Sequence, residues 1–325
     1  MMTKRKDPSD QLSLFADAEM PKAPKVGPAS VDPEDATSAE ALHPSIRFGT
    51  SSWSFPGWEG IVYDRKTSQK NLSGQGLAAY ASHPLLRTVG IDRSYYAPVP
   101  LDDYRDYASQ VPDNFRFLVK AGQTVVSPRE PYGRGMNPHF LNPEWARDYV
   151  VRPAAEGLGQ KLGVILFQFP PMVVGSLGGS HKFVERLDKF LGALPTGVPY
   201  AVEIRNAEFL TRTYRDVLNK FRVDHCYNVH PTMPSLDRQL RVMPLENNQQ
   251  LVVRWMLREG LSFESAAKRY APFNKILDQD VDVRQTLTAI FQRALKLGKG
   301  GLLIVNNKAE GSSPLSIFAL ARMLR

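Results

Sequence analysis

The chain has 325 residues, 42% of them hydrophobic, with a single cysteine, Cys226, and a formal net charge of +8. No apolar run is long enough to cross a bilayer and no apolar leader follows the basic start, so the expected setting is the cytoplasm, with no membrane partner. One cysteine excludes an internal disulfide and any multi-cysteine zinc or iron–sulfur centre.

Residues 1–44 contain Pro8, Pro21, Pro24, Pro28, Pro33 and Pro44 and almost no apolar periodicity. Such a segment cannot bury enough surface to offset its ordering entropy, so a disordered tail is expected over 1–44. Within it lies a compact apolar cluster, Gln11-Leu12-Ser13-Leu14-Phe15. These five residues resemble the bacterial sliding-clamp binding motif, Gln-Leu-Ser/Asp-Leu-Phe. The resemblance implies a peptide that folds on the clamp, with Leu14 and Phe15 filling an apolar pocket, Leu12 beside them and Gln11 fixing register. The alternative is an arm docked on the protein's own body. The tail holds five Lys/Arg and eight Asp/Glu, a charge of −3, so residues 45–325 carry 36 Lys/Arg against 25 Asp/Glu, or +11. A domain this basic favours polyanionic partners, nucleic acid first.

Eight short segments rich in apolar and β-branched residues follow: 46–51, 86–95, 115–120, 163–169, 200–205, 223–228, 251–256 and 302–306. Most are near-continuous apolar runs, as expected of parallel strands covered on both faces. Helical spacing separates several of them, over 182–194, 211–220, 284–297 and 314–324. The alternation predicts an α/β fold, a single (β/α)8 TIM-type barrel over 45–325 with right-handed crossovers. The Pro-, Gly- and Arg-rich stretch 122–143 reads as a long loop over one barrel end.

Several strand-end motifs are similar to those of the YecE-like family, the domain of unknown function numbered seventy-two. Phe48-Gly49-Thr50-Ser51-Ser52-Trp53 resembles the family's opening strand. Leu166-Phe167-Gln168-Phe169-Pro170-Pro171 resembles the fourth, Ala201-Val202-Glu203-Ile204-Arg205 the fifth, and Val305-Asn306-Asn307 with Gly311 the eighth. The resemblance implies a TIM barrel with a site at the strand ends, and no particular reaction. The chain departs from the pattern at Ser52, at Asp92–Tyr96 and after Arg254.

Functional groups of such barrels gather at the C-terminal ends of the strands. The candidate catalytic groups are Glu203, Arg254, Asp92 and Lys120. Glu203 and Arg205 are two apart and share a strand face, so Arg205 is expected to pair with Glu203, and Glu203 to act as general base or metal ligand. Candidate binding residues are Ser52, Trp53, Tyr96, Gln168, Arg205, His230, Asn306 and Asn307, together with Ser312 and Ser313 at an anion-binding helix start. Either Trp53 or Tyr96 is expected to be exposed for stacking. Six histidines with the wrong spacing argue against a zinc cluster, whereas one Mg²⁺ or Mn²⁺ on Asp92 and Glu203 is compatible with the residues. No nicotinamide, flavin or iron–sulfur cofactor is expected. Cys226 reads as buried packing. The expectation is a DNA-maintenance protein recruited by the clamp, acting on a phosphodiester or damaged base if it is an enzyme. The alternatives are a metabolic enzyme acting on a small phosphorylated or sugar-like substrate and a non-catalytic clamp-bound adaptor.

Overall fold

A computed structural model describes residues 25–130 and 135–325. The motif at 11–15 lies outside the described residues. Eight parallel strands close into a barrel in sequence order. They are β1 (Ile46–Thr50), β2 (Leu86–Ile91), β3 (Arg116–Lys120), β4 (Leu162–Gln168), β5 (Tyr200–Glu203), β6 (Asp224–Val229), β7 (Leu251–Trp255) and β8 (Gly301–Val305). β8 closes on β1 from Ile46↔Gly301 to Thr50↔Val305.

The apolar runs are explained by burial on both faces. One face packs against surrounding helices in the main core. The other fills the bore with Leu118, Val164, Leu166, Ala201, Cys226, Val252 and Ile304. Gly49 belongs to the tight contact between β1 and β2, where a Cβ would fall 1.7 Å from the Thr88 carbonyl oxygen; no other residue fits so close an approach.

The four expected helices lie at Ser180–Gly192, Arg212–Phe221, Val281–Lys296 and Ser313–Arg322. Other helices were not legible from periodicity, among them Leu101–Ser109, Arg152–Leu158 and Phe263–Tyr270. Among the described residues, no helix is long and apolar enough to cross a membrane.

Two expectations need correction. Residues 25–44 are folded rather than part of a disordered tail. Pro33–Ala41 is a helix capped by Asp32, and it buries Asp35, Ser38 and Ala39. Arg87 donates to the Ala39 and Leu42 carbonyls at 2.6 and 3.2 Å, and Arg322 pairs with Asp35 at 2.8 Å. Charge pairs and caps hold this helix rather than an apolar stripe, which is why periodicity missed it. The second strand also stops at Ile91 instead of running to Tyr95. There the chain turns into a short 3₁₀ helix, Arg93–Tyr95, with Ser94 Oγ 2.6 Å from the carbonyls of both Ile91 and Lys120. The loop after β3 is pinned by Asn137, which donates to Thr124 and Ser127 carbonyls at 2.6 and 2.7 Å.

At the opposite end of the bore, Asp224 opens β6 and accepts the Gln249 amide at 2.6 Å, tying down the turn into β7. Burial pushes its carboxyl up to about 7. A carboxyl raised in the fold stabilises below its unfolded value near 4, and that contribution is lost as pH rises through 7. Asp224→Asn keeps the acceptor and removes the buried charge. At pH 8 this variant is expected to be more stable than wild type by about 1–3 kcal/mol, and equal to it at pH 4. Denaturant unfolding at both pH values checks this; a variant weaker at pH 8 would contradict the assignment.

Candidate functional site at the barrel mouth

Side chains alternate along a strand, so the position two beyond each bore residue looks into the mouth. Leu118 is followed by Lys120, Leu166 by Gln168, Ala201 by Glu203, Cys226 by Asn228, Val252 by Arg254 and Ile304 by Asn306. β1 and β2 supply Ser51 and Asp92 at the same level. The bore is therefore apolar up to one level and polar immediately above it.

At the centre of that layer Glu203 is fully buried, between Arg205 and Arg254 at 6% and 2% exposed. Arg205 Nε donates to Glu203 Oε1 at 2.5 Å and Arg254 Nη1 donates to Oε2 at 2.6 Å. Burial alone would raise this carboxyl, but the two guanidiniums outweigh it and hold the group at about 2. Arg254 is pushed above its ordinary value by Glu203, against its own burial. Arg205 pairs with Glu203 as the spacing predicted. Glu203 is placed as a fixed anion rather than as a general base, since both oxygens are engaged and a carboxylate held so far below neutral pH is a weak proton acceptor. Two guanidiniums on its oxygens also oppose a divalent cation shared with half-buried Asp92. Among the described residues no group of three or more His, Cys, Asp or Glu side chains could hold a metal.

Lys120 has no ion-pair partner among the described residues. Its ammonium lies 3.8 Å from the centre of the Tyr95 ring. Burial lowers it to about 8, with Asp92 opposing the shift and Arg254 adding to it. Lys308 is a second cation without an ion-pair partner among the described residues, 5.2 Å from the Phe263 ring and close enough to feel Asp92. The sequence reading missed it, although its place two residues beyond Asn306 was the available signal.

Other candidates fall in several places. Asn306 donates to Ser51 Oγ at 3.0 Å, so Ser51 rather than Ser52 faces the layer, a slip of one position. Ser52 instead meets Ser54 at 3.1 Å. Gln168 is buried in register with Glu203. Trp53 is core rather than a stacking surface, its indole donating to Leu72 at 3.1 Å. Tyr96 is the exposed aromatic, at 71%. Beside it Tyr95, Trp145 and Tyr149 line a shallow crevice, and His139 stacks on Trp145 at 4.1 Å, away from the polar layer. His230 bonds Thr232 at 2.9 Å and is lowered to about 4 by burial and by Arg205, so it is neutral at pH 7. His230 and Asn228 open onto a lateral cleft of about 420 Å³.

The expected anion site at the last helix is closed. Ser312, not Ser313, is its cap residue. Asn307 accepts both the Ser313 N–H and its hydroxyl at 2.8 Å, Pro314 has no N–H to offer, and Ser312 and Ser313 are buried. Behind this loop a buried Arg284–Glu310 pair at 2.7 Å fixes its path. Cys226 is buried as expected, its thiol pushed well up by burial.

The family described as "Protein of unknown function DUF72" matches residues 47–325. The chain belongs to the DUF72 family. UPF0759 protein YunF of Bacillus subtilis is 32% identical over 127 residues, 39% of this chain and 40% of that protein. The matched stretch thus spans about two fifths of that relative. A DUF72 protein of Thermotoga maritima has a solved structure 20% identical in sequence, with a TM-score of 0.63 over 86% of this chain and 98% of that one. One from Enterococcus faecalis is 21% identical, with a TM-score of 0.58 over 86% and 95% of the two chains. At these identities the DUF72 structures show the shared fold.

The Glu203 arrangement has a stability consequence with a definite sign. A carboxyl held near 2 stabilises the fold above its unfolded value near 4.5, and the contribution is lost as pH falls through 2. Glu203→Gln strands two buried guanidiniums and is expected to cost about 3–5 kcal/mol at pH 7. The gap should close as pH drops below about 4. Urea unfolding from pH 7 to pH 3 measures it; a loss independent of pH would contradict the ionised carboxylate.

Proposed function

We propose that the barrel mouth binds a phosphate-bearing ligand and that the protein acts in DNA maintenance, recruited through the 11–15 segment by the bacterial sliding clamp. The observation that carries the binding reading is the pair of lysines without an ion-pair partner among the described residues, Lys120 and Lys308, beside Arg205 and Arg254, which outnumber Glu203. Counting Asp92, four cations face two carboxylates, which favours an anion. Exposed Tyr96 and Tyr149 add faces on which a base can stack. The charge of +11 over residues 45–325 supports a polyanionic ligand. Tethering to the clamp would raise the effective concentration of DNA, so modest intrinsic affinity suffices.

A second reading is favoured by the depth of the site. Arg254 is only 2% exposed, so a rigid duplex cannot reach it. A single flipped nucleotide or a small sugar phosphate can. In this reading the protein is a metabolic enzyme on a free phosphorylated sugar.

Fluorescence anisotropy with single-stranded and duplex oligonucleotides separates the two. The first reading predicts salt-dependent binding, stronger for single strands. Lys120→Ala with Lys308→Ala should weaken it about tenfold and reduce the salt slope by roughly one to two. No oligonucleotide binding, with retained binding of a sugar phosphate, would favour the second. Calorimetry against the clamp should give saturable binding that Leu14→Ala/Phe15→Ala abolishes; absence of binding by wild type would remove clamp recruitment.

A further inference from the structure

Lys120 combines three properties that ordinary surface lysines lack together. It stands at the C-terminal end of β3 inside the mouth, it has no carboxylate partner among the described residues, and its nitrogen rests on an aromatic face. An ammonium needed only for charge is normally paired or fully solvated. Burial, with Arg254 and Arg205 adding to it, favours loss of its proton against the hold of the ring, and a neutral lysine amine is a nucleophile. The groups acting on it are Asp92, Arg254, Glu203 and Arg205. With burial bringing it down to about 8, Lys120 has a neutral form within reach near neutral pH.

The surrounding chemistry narrows the electrophile. Lys308 and Arg254 supply positive charge for a phosphate. Arg254 Nε is buried with no partner, as is Asn228 Oδ1, so the layer holds a donor and an acceptor not used by the fold. Amides at Asn228 and Gln168 suit hydroxyl groups, whereas that of Asn306 is held by Ser51 and the Lys308 N–H. An amine, a phosphate subsite and hydroxyl-binding amides together fit an open-chain sugar phosphate with a free carbonyl.

We propose that Lys120 forms an imine with the carbonyl carbon of such a sugar phosphate; this rests on the phosphate-binding reading of the mouth. The neutral Nζ attacks the carbonyl carbon, the C=O π pair moves to oxygen, and a proton passes from the nitrogen to that oxygen to give a neutral carbinolamine. The hydroxyl then leaves as water after a second protonation, and the nitrogen lone pair closes the C=N bond. The sum is aldehyde plus amine plus one proton giving a protonated imine and water, with no oxidant or reductant. Asp92, on the neighbouring strand end, is the carboxylate placed to pass these protons. The same chemistry is offered by two sources, the ring-opened deoxyribose of an abasic site in DNA and a free sugar phosphate.

Borohydride trapping tests it on the full-length protein. One arm uses an end-labelled oligonucleotide with a single abasic site and an intact oligonucleotide as control; the other uses 2-deoxyribose 5-phosphate. The expected result is a reduced covalent adduct mapped by peptide mass spectrometry to Lys120. Lys120→Arg keeps the charge and the fold but cannot form an imine, and should reduce the adduct roughly tenfold or more. An adduct with the abasic oligonucleotide supports the DNA source, and one with the free sugar phosphate alone supports the small-molecule source. Adduct spread over surface lysines, or none at Lys120 with either probe, overturns the imine. Calorimetry without reductant keeps the two claims apart. Binding of a probe without adduct sinks only the imine, whereas failure of both probes to bind sinks the phosphate reading beneath it.

Discussion

The mouth of this barrel is organised around one carboxylate held by two guanidiniums. Glu203 has no access to water, and its charge survives there because Arg205, two residues on, and Arg254, from β7, approach at 2.5 and 2.6 Å. Isolated, each of these three ions would be expelled from a protein interior. Together they leave one unit of positive charge at the floor of the mouth, fixed in place by the strands that deliver them. Such a triad is weak testimony for stability, since well-packed apolar groups often do as well. Its presence at the strand ends is better explained by the field it creates.

That field acts on the groups around it. Lys120 is buried in the same layer and feels Arg254 and Arg205, so its proton is held less firmly than on a solvated lysine, against the pull of Asp92 and the Tyr95 ring. His230 is driven neutral by burial and by Arg205. Lys308 has no ion-pair partner among the described residues and lies against Phe263 and Phe273. Among the described residues Asp92 is the carboxylate that acts on both lysines, while Asp237, Glu259 and Asp282 line the cleft beside His230. The remaining basic residues are scattered, many in local pairs such as Arg105–Asp102 or Arg293–Glu246, whose contribution is small.

Much of this was legible in the sequence because a barrel strand has a period of two and a buried strand is nearly all apolar. The first polar residue after each apolar run located Glu203, Arg254, Lys120 and Asn306 at the mouth. Parity failed where the strand end was uncertain by one residue, exchanging Ser52 for Ser51 and leaving open whether Trp53 or Tyr96 was the exposed aromatic. Longer-range features were not legible. The 33–41 helix is polar, and Arg87 and Arg322, which hold it, are distant in sequence. Asn307 closes the last helix start through a side-chain contact that composition cannot reveal. Arg254 as a second partner of Glu203, across 51 residues, depends on strand order rather than on spacing. The DUF72 membership explains the shared barrel and leaves the reaction to be read from these side chains.

The most direct test of the central claim is side-chain ¹⁵N NMR of the lysine Nζ and arginine Nε groups during titration with a phosphate-bearing sugar at constant ionic strength. The account predicts saturable shifts at Lys120, Lys308 and Arg254 together, with the surface lysines unmoved. Saturation at surface lysines, with these three resonances unchanged, would contradict a phosphate site at the barrel mouth.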